Sequence, residues 1–408
     1  MMNDVKLYLA LPVLKEFANL PALVESLNQQ TERNFHLVAC VNHYEHWRKQ
    51  AEFEETISDN EKSLDYLSYV DAFSVTIIDH ASPGKGWSPK KGGVGWARKV
   101  AMDVVEQHAH AGDIIISMDA DTYYPPNYLA AIKATLLENS RAVGLAVPYY
   151  HRLAGNDTDR LILRYELYMR HYALNMLRIR NPYAYTAVGS AMAFPVWAYR
   201  KAGGMTPVKS GEDFYFMQKL VKIGKLINWS ETVAYPSPRF SNRVVFGTGP
   251  ALIKGSTGDW SSYPIYSREL FDSVEVTYQS FTLLYHEEIP TPMDGFLFSC
   301  FKTRELWSPL RKNYRSAENF IKACSNKVDG LRILQFLRQG QASLKTTDAR
   351  VLASSYPALL QSVLNDEQLQ HLNSGGLEIL SVKELSLIRD GLFLQENSVK
   401  RELYLNSL

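Results

Sequence analysis

Apolar and polar residues follow two regimes along the chain. Up to about residue 250, short apolar runs alternate with amphipathic stretches, whereas from about Tyr278 onward only helical spacing of leucines remains. Residues 5–11, 35–41, 74–78 and 142–148 read as strands, and helical periodicity covers 20–27, about 94–108 and the region near 128–138. The polar stretch of about 44–71 reads as an insertion with helical character. The isoleucine-rich run 112–122, bounded by Gly112 and by Pro125-Pro126, predicts a strand buried on both faces. Strands alternating with helices predict an α/β fold with a mostly parallel sheet sandwiched by helices. The later pattern, with apolar periodicity over 320–336, 352–364 and 377–394, predicts a helical C-terminal extension. The expected division is 1–277 for the α/β domain and 278–408 for that extension.

The central run ends on Asp119-Ala120-Asp121. Side chains alternate along a strand, so both acids project to one side at its carboxyl end, the edge where open α/β sheets bind ligands. Two carboxylates there need a partner. A hard divalent cation carrying a phosphate-bearing substrate would satisfy both. The plainer reading is a strand end capped by turn-forming acids. The earlier strands bring Glu16, Asn42 and Asp79 to the same edge. No G-x-G-x-x-G joins the first strand to its helix, and no Walker A pattern occurs. The phosphate-binding candidate is the loop from Lys85 to Gly93 with Arg98 on the helix behind it, since helix N-terminal amides and cationic side chains suit a diphosphate. A solvated surface loop is the plainer alternative.

Further along, Arg160, Arg164, His171 and Arg178 fall in one stripe of a long helix at about 100° per residue. Such a stripe is commonly a solvated face and otherwise suits an anionic acceptor or a membrane surface. The segment 186–195 holds small residues, Gly189 and Ser190 among them, where a ligand can approach the backbone. Glu212 and Asp213 open a helix that Gly224 ends. Ser210-x-x-Asp213 resembles a capping box, which is a structural account of the same acids. Arg239 and Arg243, four apart beside a glycine-rich turn, could close over a phosphate or lie on the surface.

A formal net charge of +1 over 408 residues argues against a dedicated nucleic-acid binder. Three distant cysteines, Cys40, Cys300 and Cys324, argue against a disulfide framework or a zinc cluster. No stretch approaches about 18 apolar residues, and no basic region precedes the first apolar run, so neither a membrane span nor a signal peptide is expected. The reducing cytoplasm is the default compartment, with the basic stripe allowing peripheral contact at the inner face of the membrane.

The order of these pieces resembles the family-2 glycosyltransferases of GT-A fold. Pro12-x3-Glu16, the acid-bearing third strand, the basic loop with Arg98, Asp119-Ala-Asp121, the Gly-Ser segment, Gly203-Gly204 and Gly211-Glu212-Asp213 appear in the family's progression, over about residues 5–250. The resemblance implies transfer of a sugar from a nucleotide-diphosphate sugar, a UDP- or GDP-sugar, to a saccharide or lipid-linked acceptor. It implies Mg²⁺ or Mn²⁺ on Asp119 and Asp121, with Asp119 also near the ribose, and Asp213 as general base of an inverting displacement, with Glu212 supporting it or touching the acceptor. It places Pro12, Glu16, Asn42 and Asp79 at the nucleoside. Arg98, Gly189, Ser190, Arg239 and Arg243 join the donor-binding set.

Two departures stand out. Where the family usually has an acid pair after the second strand, this chain has Val41-Asn42-His43-Tyr44. Where many relatives carry a histidine after the Glu-Asp helix, it has Pro238-Arg239, so a third metal ligand is unidentified. Two other classes compete. A sugar-nucleotide pyrophosphorylase shares such a sheet but usually announces itself by a glycine-rich basic loop after the first strand. A sugar- or nucleotide-binding scaffold would bind without turnover.

Overall fold

The computed structural model describes residues 5–208, 210–240 and 248–406. The chain forms two compact units. The first comprises residues 1–162, 185–258 and 397–408, and the second 163–184 and 259–396. The division expected at residue 277 therefore lies inside the second unit, which also takes in part of an earlier helix.

The first unit is built on a seven-stranded sheet. Its strands are β1 (Leu7–Val13), β2 (Phe35–Asn42), β3 (Ser74–His80), β4 (Ile114–Ser117), β6 (Gly144–Ala146), β7 (Met192–Pro195) and β8 (Leu226–Ile227), with β5 (Thr122–Tyr123) and β9 (Tyr235–Pro236) forming a separate ribbon. The sheet order is β3-β2-β1-β4-β7-β6-β8. Only β7 runs antiparallel to its neighbours β4 and β6. The expected mostly parallel sheet is thus present, with helices α1 (Leu20–Asn28), α2 (Glu54–Ser68), α3 (Val94–His108) and α4 (Tyr128–Glu138) interspersed among the strands. All four residues of β4 are buried, as an unbroken isoleucine run requires. Pro12 is tolerated in β1 because the ladder with β4 ends at Ala10↔Ser117, leaving Pro12 paired only with β2. Strand β7 escaped the sequence pattern, since Met-Ala-Phe-Pro carries no β-branched residue.

The long helix α5 (Thr158–Arg178) begins in the first unit and continues in the second. The second unit is helical. Leu163 and Leu167 pack with Ile265, Leu352, Leu372, Leu385 and Ile388 in a buried cluster. The unit also holds an ion network in which Arg170 bonds Glu396 (2.9 Å) and Glu166 (3.2 Å), while Arg389 bonds Glu166 (3.0 Å). Of the basic stripe of α5, Arg164 and His171 are buried and Arg178 is half-buried, each with partners in the second unit. Arg164 pairs with Asp348, His171 sets its ring nitrogens against the Tyr266 carbonyl (2.7 Å) and the Tyr356 hydroxyl (3.1 Å), and Arg178 bonds Asp272 at 2.6 Å. Burial pushes His171 down to about 4, so this histidine is neutral. Among the described residues no helix is long and apolar enough to cross a membrane.

Candidate active site

Helices α6 (Val196–Lys201), α7 (Glu212–Ile223) and α8 (Thr248–Ser256) also belong to the first unit. The Asp119 motif emerges where β4 ends. The chain turns there, with the Thr122 amide donating to the Asp119 carbonyl (3.3 Å), and Asp121 leads into the β5–β9 ribbon. The Asp119 amide donates to the buried Tyr124 hydroxyl at 3.0 Å. The Tyr124 hydroxyl in turn lies 3.3 Å from the Ser190 carbonyl, tying the two segments together.

Arg98 of α3 organises the acids. Its side chain is buried, and its guanidinium donates to Asp119 Oδ1 (2.8 Å), Glu212 Oε1 (3.2 Å) and the Gly189 carbonyl (3.0 Å). Burial alone would weaken its hold on the proton, but the charges of Asp119 and Glu212 outweigh that and raise its pKa above the ordinary value. Gly189 is needed here for space, because a Cβ would fall 2.8 Å from Arg98 Nη2 and 3.6 Å from Asp213 Oδ2.

The Glu-Asp pair opens α7 behind Gly211, which sits at φ +76°, a conformation that favours glycine. No side chain caps this helix, so the capping box suggested by Ser210 and Asp213 does not form. Asp213 accepts from its neighbour's amide, Phe214 N, at 2.7 Å. Burial first, and the adjacent Glu212 charge second, push Asp213 up to about 7, while the Phe214 amide and Arg98 pull the other way. A half-buried carboxyl poised near neutrality suits proton transfer.

A second arginine, Arg239, bridges Asp121 and Glu16. Its Nε lies 2.5 Å from Asp121 Oδ2, and its Nη2 meets Glu16 Oε1. Asn19 donates to the other Glu16 oxygen at 2.6 Å. Arg243 lies outside the described residues. Glu16, Asp119, Asp121, Glu212 and Asp213 thus face two guanidiniums, Arg98 and Arg239, and the surplus of negative charge suits a cation. Among the described residues no third acid, histidine or cysteine joins Asp119 and Asp121 in a metal-binding group. The donors are all oxygen, as Mg²⁺ or Mn²⁺ prefers when a substrate's phosphates supply the remaining ligands. The residues fit such an ion on that condition, with Arg239 standing on one Asp121 oxygen.

Other expected donor-binding residues have different partners. Asn42 is buried, donating to the Val13 carbonyl (2.9 Å) and accepting from Trp87 Nε1 (3.1 Å). Asp79 accepts from the amides of Ala81 (3.0 Å) and Ser82 (2.8 Å) and from Lys85 Nζ (2.8 Å). Burial would raise its pKa, but Lys85, the Ser82 hydroxyl and these amides hold it well below the usual carboxylate range. In the 81–93 loop, the amides of Gly84 (3.0 Å) and Gly86 (2.8 Å) donate to the Glu45 carboxylate. Gly86 of the expected phosphate-binding loop thus bonds an anion of the chain itself, Glu45, which no motif in the polar 44–71 segment announced. Pro12 stands at the end of β1 beside this edge. Two residues beyond Asp121, Tyr123 and its ribbon partner Tyr235 flank Arg152, a grouping not visible in sequence because its members are distant.

No family model matches the chain, and no curated protein matches it in sequence. Among solved structures it is similar to residues 1–349 of S. aureus TarS in complex with UDP-GlcNAc, at 13% identity over 83% of this chain and 93% of that one, with a TM-score of 0.41. It is also similar to a mannosyltransferase of Pyrobaculum calidifontis in complex with GDP-Man and Mn²⁺, at 14% identity over 97% and 88% of the two chains (TM-score 0.38). A third is the glucosyl-3-phosphoglycerate synthase of Mycobacterium tuberculosis, in complex with Mn²⁺, UDP and glucosyl-3-phosphoglycerate, at 13% identity over 64% and 80% (TM-score 0.37). Scores of this size are too low to carry an argument about the chain.

Proposed function

We propose that this chain is a glycosyltransferase of the GT-A, family-2 type, moving a sugar from a UDP- or GDP-sugar to an acceptor hydroxyl with inversion. The observation that carries the reading is the Arg98 bridge, which joins Asp119 at the end of β4 to Glu212 at the start of α7 and so turns both acid motifs onto one site. In this reading Asp213 takes the acceptor proton as the acceptor oxygen attacks the anomeric carbon. The bond from that carbon to the donor diphosphate breaks, and its electron pair leaves with the phosphate oxygen. Glu212 and Arg98 position Asp213 and Asp119 without touching substrate. Bound Mg²⁺ or Mn²⁺ on Asp119 and Asp121 would supply charge stabilisation to the leaving diphosphate. Arg239, released from Asp121, would meet a phosphate directly. Every motif residue lies in the first unit, so transfer is assigned to that unit.

A donor screen tests this reading. UDP- and GDP-sugars are titrated with Mn²⁺ and with EDTA, reading thermal stabilisation and slow donor hydrolysis. One nucleotide should stabilise the protein with metal and lose that effect in Asp121→Asn. Stabilisation that is absent for every nucleotide and metal would remove the transferase reading.

A further inference from the structure

The β5–β9 ribbon carries a cation whose charge the chain does not use. Tyr123 and Tyr235 are direct cross-strand partners, with ring centroids 5.9 Å apart. The guanidinium carbon of Arg152 stands 4.4 Å from the Tyr123 ring centre and 4.1 Å from that of Tyr235. Arg152 reaches them because the chain leaving β6 runs beside β9, with Tyr150 N donating to the Ala234 carbonyl (2.9 Å) and Ala234 N to the Pro148 carbonyl (2.8 Å). The arginine is exposed, and among the described residues it has neither a hydrogen-bond nor an ion-pair partner. This is notable beside so many acids. Asp121, two residues before Tyr123, is held by Arg239 and not by Arg152.

Stacking fixes what the guanidinium can do. The two rings, with centroids 5.9 Å apart, hold the guanidinium from adjacent sides and not as a sandwich, so its remaining side and N–H groups stay open to a carboxylate or a phosphate. Each ring contact attracts the cation and restricts the side chain before any ligand arrives. Position sets the ligand's origin. Tyr123 follows Asp121 by two residues, so their Cα atoms lie no more than about 7 Å apart and the clamp stands within about one sugar ring of Asp121. The strand order sets β6 and β1 on opposite sides of β4, so Arg152 comes from the side away from Pro12 and Glu16, where the nucleoside is expected.

We propose that Arg152, clamped by Tyr123 and Tyr235, is a binding site for an anionic group on the acceptor, and that the acceptor is therefore an acidic saccharide bearing a carboxylate or a phosphate. The assignment rests on the glycosyltransferase reading and adds to it the charge of the acceptor. Its carboxylate and phosphate forms share one chemistry and are separated by the probes used.

The test is calorimetric titration of the full chain, loaded with nucleotide and Mn²⁺, with three disaccharides differing only in the terminal sugar: glucose, glucuronate or glucose 6-phosphate. At least one acidic disaccharide should bind about tenfold more tightly than the neutral one, the worth of a charge-assisted pair. Arg152→Gln should abolish that preference and Arg152→Lys should restore part of it, with nucleotide affinity unchanged throughout. Equal binding of the three sugars, failure of both acidic sugars to bind, or a preference surviving in Arg152→Gln overturns the proposal. So does a loss of nucleotide affinity in Arg152→Gln, which would move the residue to the donor. Failure of the underlying reading looks different, because the wild-type chain would then bind no nucleotide at the outset. Arg152 is exposed, and a melting curve confirms that its variants fold.

Discussion

Asp213 is the side chain with the most to lose from its surroundings. Its carboxyl is pushed up to about 7, so between about pH 4 and 7 the folded chain holds a proton that the unfolded chain has released. Stability therefore falls as pH rises through that window and levels off above it. Asp213→Asn should be more stable than wild type at pH 8, by about 1–2 kcal/mol after allowance for partial exposure and relaxation, with a smaller gap at pH 5. Urea midpoints at the two pH values check this. In the same reading kcat rises with pH towards a plateau above about 7, and the variant loses about 10²–10⁴ of activity while still binding nucleotide. Arg98 makes the opposite case. Removing it leaves Glu212 buried without its ion pair, so Arg98→Ala should cost about 3–5 kcal/mol in denaturant unfolding. The acids of this site were legible as short motifs at a strand end and a helix start. Arg98 was legible as a cation near them. That it grips acids, and not phosphate, depends on its burial, which no spacing reveals.

Among the elements, the 81–93 loop shows how a segment rich in glycine and lysine can be held by its own anions. Glu45 takes the amides of Gly84 and Gly86, Asp79 takes those of Ala81 and Ser82, and the His80 and Trp87 rings stack with centroids 3.7 Å apart. Glu45→Ala should therefore speed hydrogen exchange at Gly84 and Gly86 while leaving nucleotide affinity unchanged. Weakened nucleotide binding in that variant would return the loop to the phosphate-binding role its composition suggested. The parallel strands were legible because burial on both faces writes continuous apolar runs, as in β4 and β2. The ribbon of β5 and β9 was not, since two-residue strands offer no period to detect. The stripe on α5 was legible as a stripe, but not the burial of Arg164 and His171 within it. Its partners Asp348, Tyr356 and Tyr266 come from far along the chain.

Across the whole molecule, near-neutral net charge hides a strong local imbalance. The chain carries +1 overall. Yet the first unit gathers Glu16, Asp119, Asp121, Glu212 and Asp213 around two arginines. Periodicity marked the helical character of the later chain, but not that residues 163–184 would fold with it, because membership of a discontinuous unit is a matter of packing. The charge imbalance has a consequence for ligand order. Asp121 is already engaged by Arg239, so a divalent ion arriving alone must displace a guanidinium, whereas one arriving with a diphosphate brings that guanidinium a new partner. Mn²⁺ alone should thus raise the melting temperature little, and Mn²⁺ with the cognate nucleotide should stabilise the first unit by about 2.7 kcal/mol at a hundredfold excess over Kd. Arg239→Gln should shift the balance the other way, tightening Mn²⁺ alone, read by the spin-resonance signal of free manganese, and weakening the nucleotide. If Mn²⁺ binds wild type and Arg239→Gln equally well without nucleotide, Arg239 is not guarding Asp121, and the ion pair is a structural tie between the Asp121 turn and the start of α1.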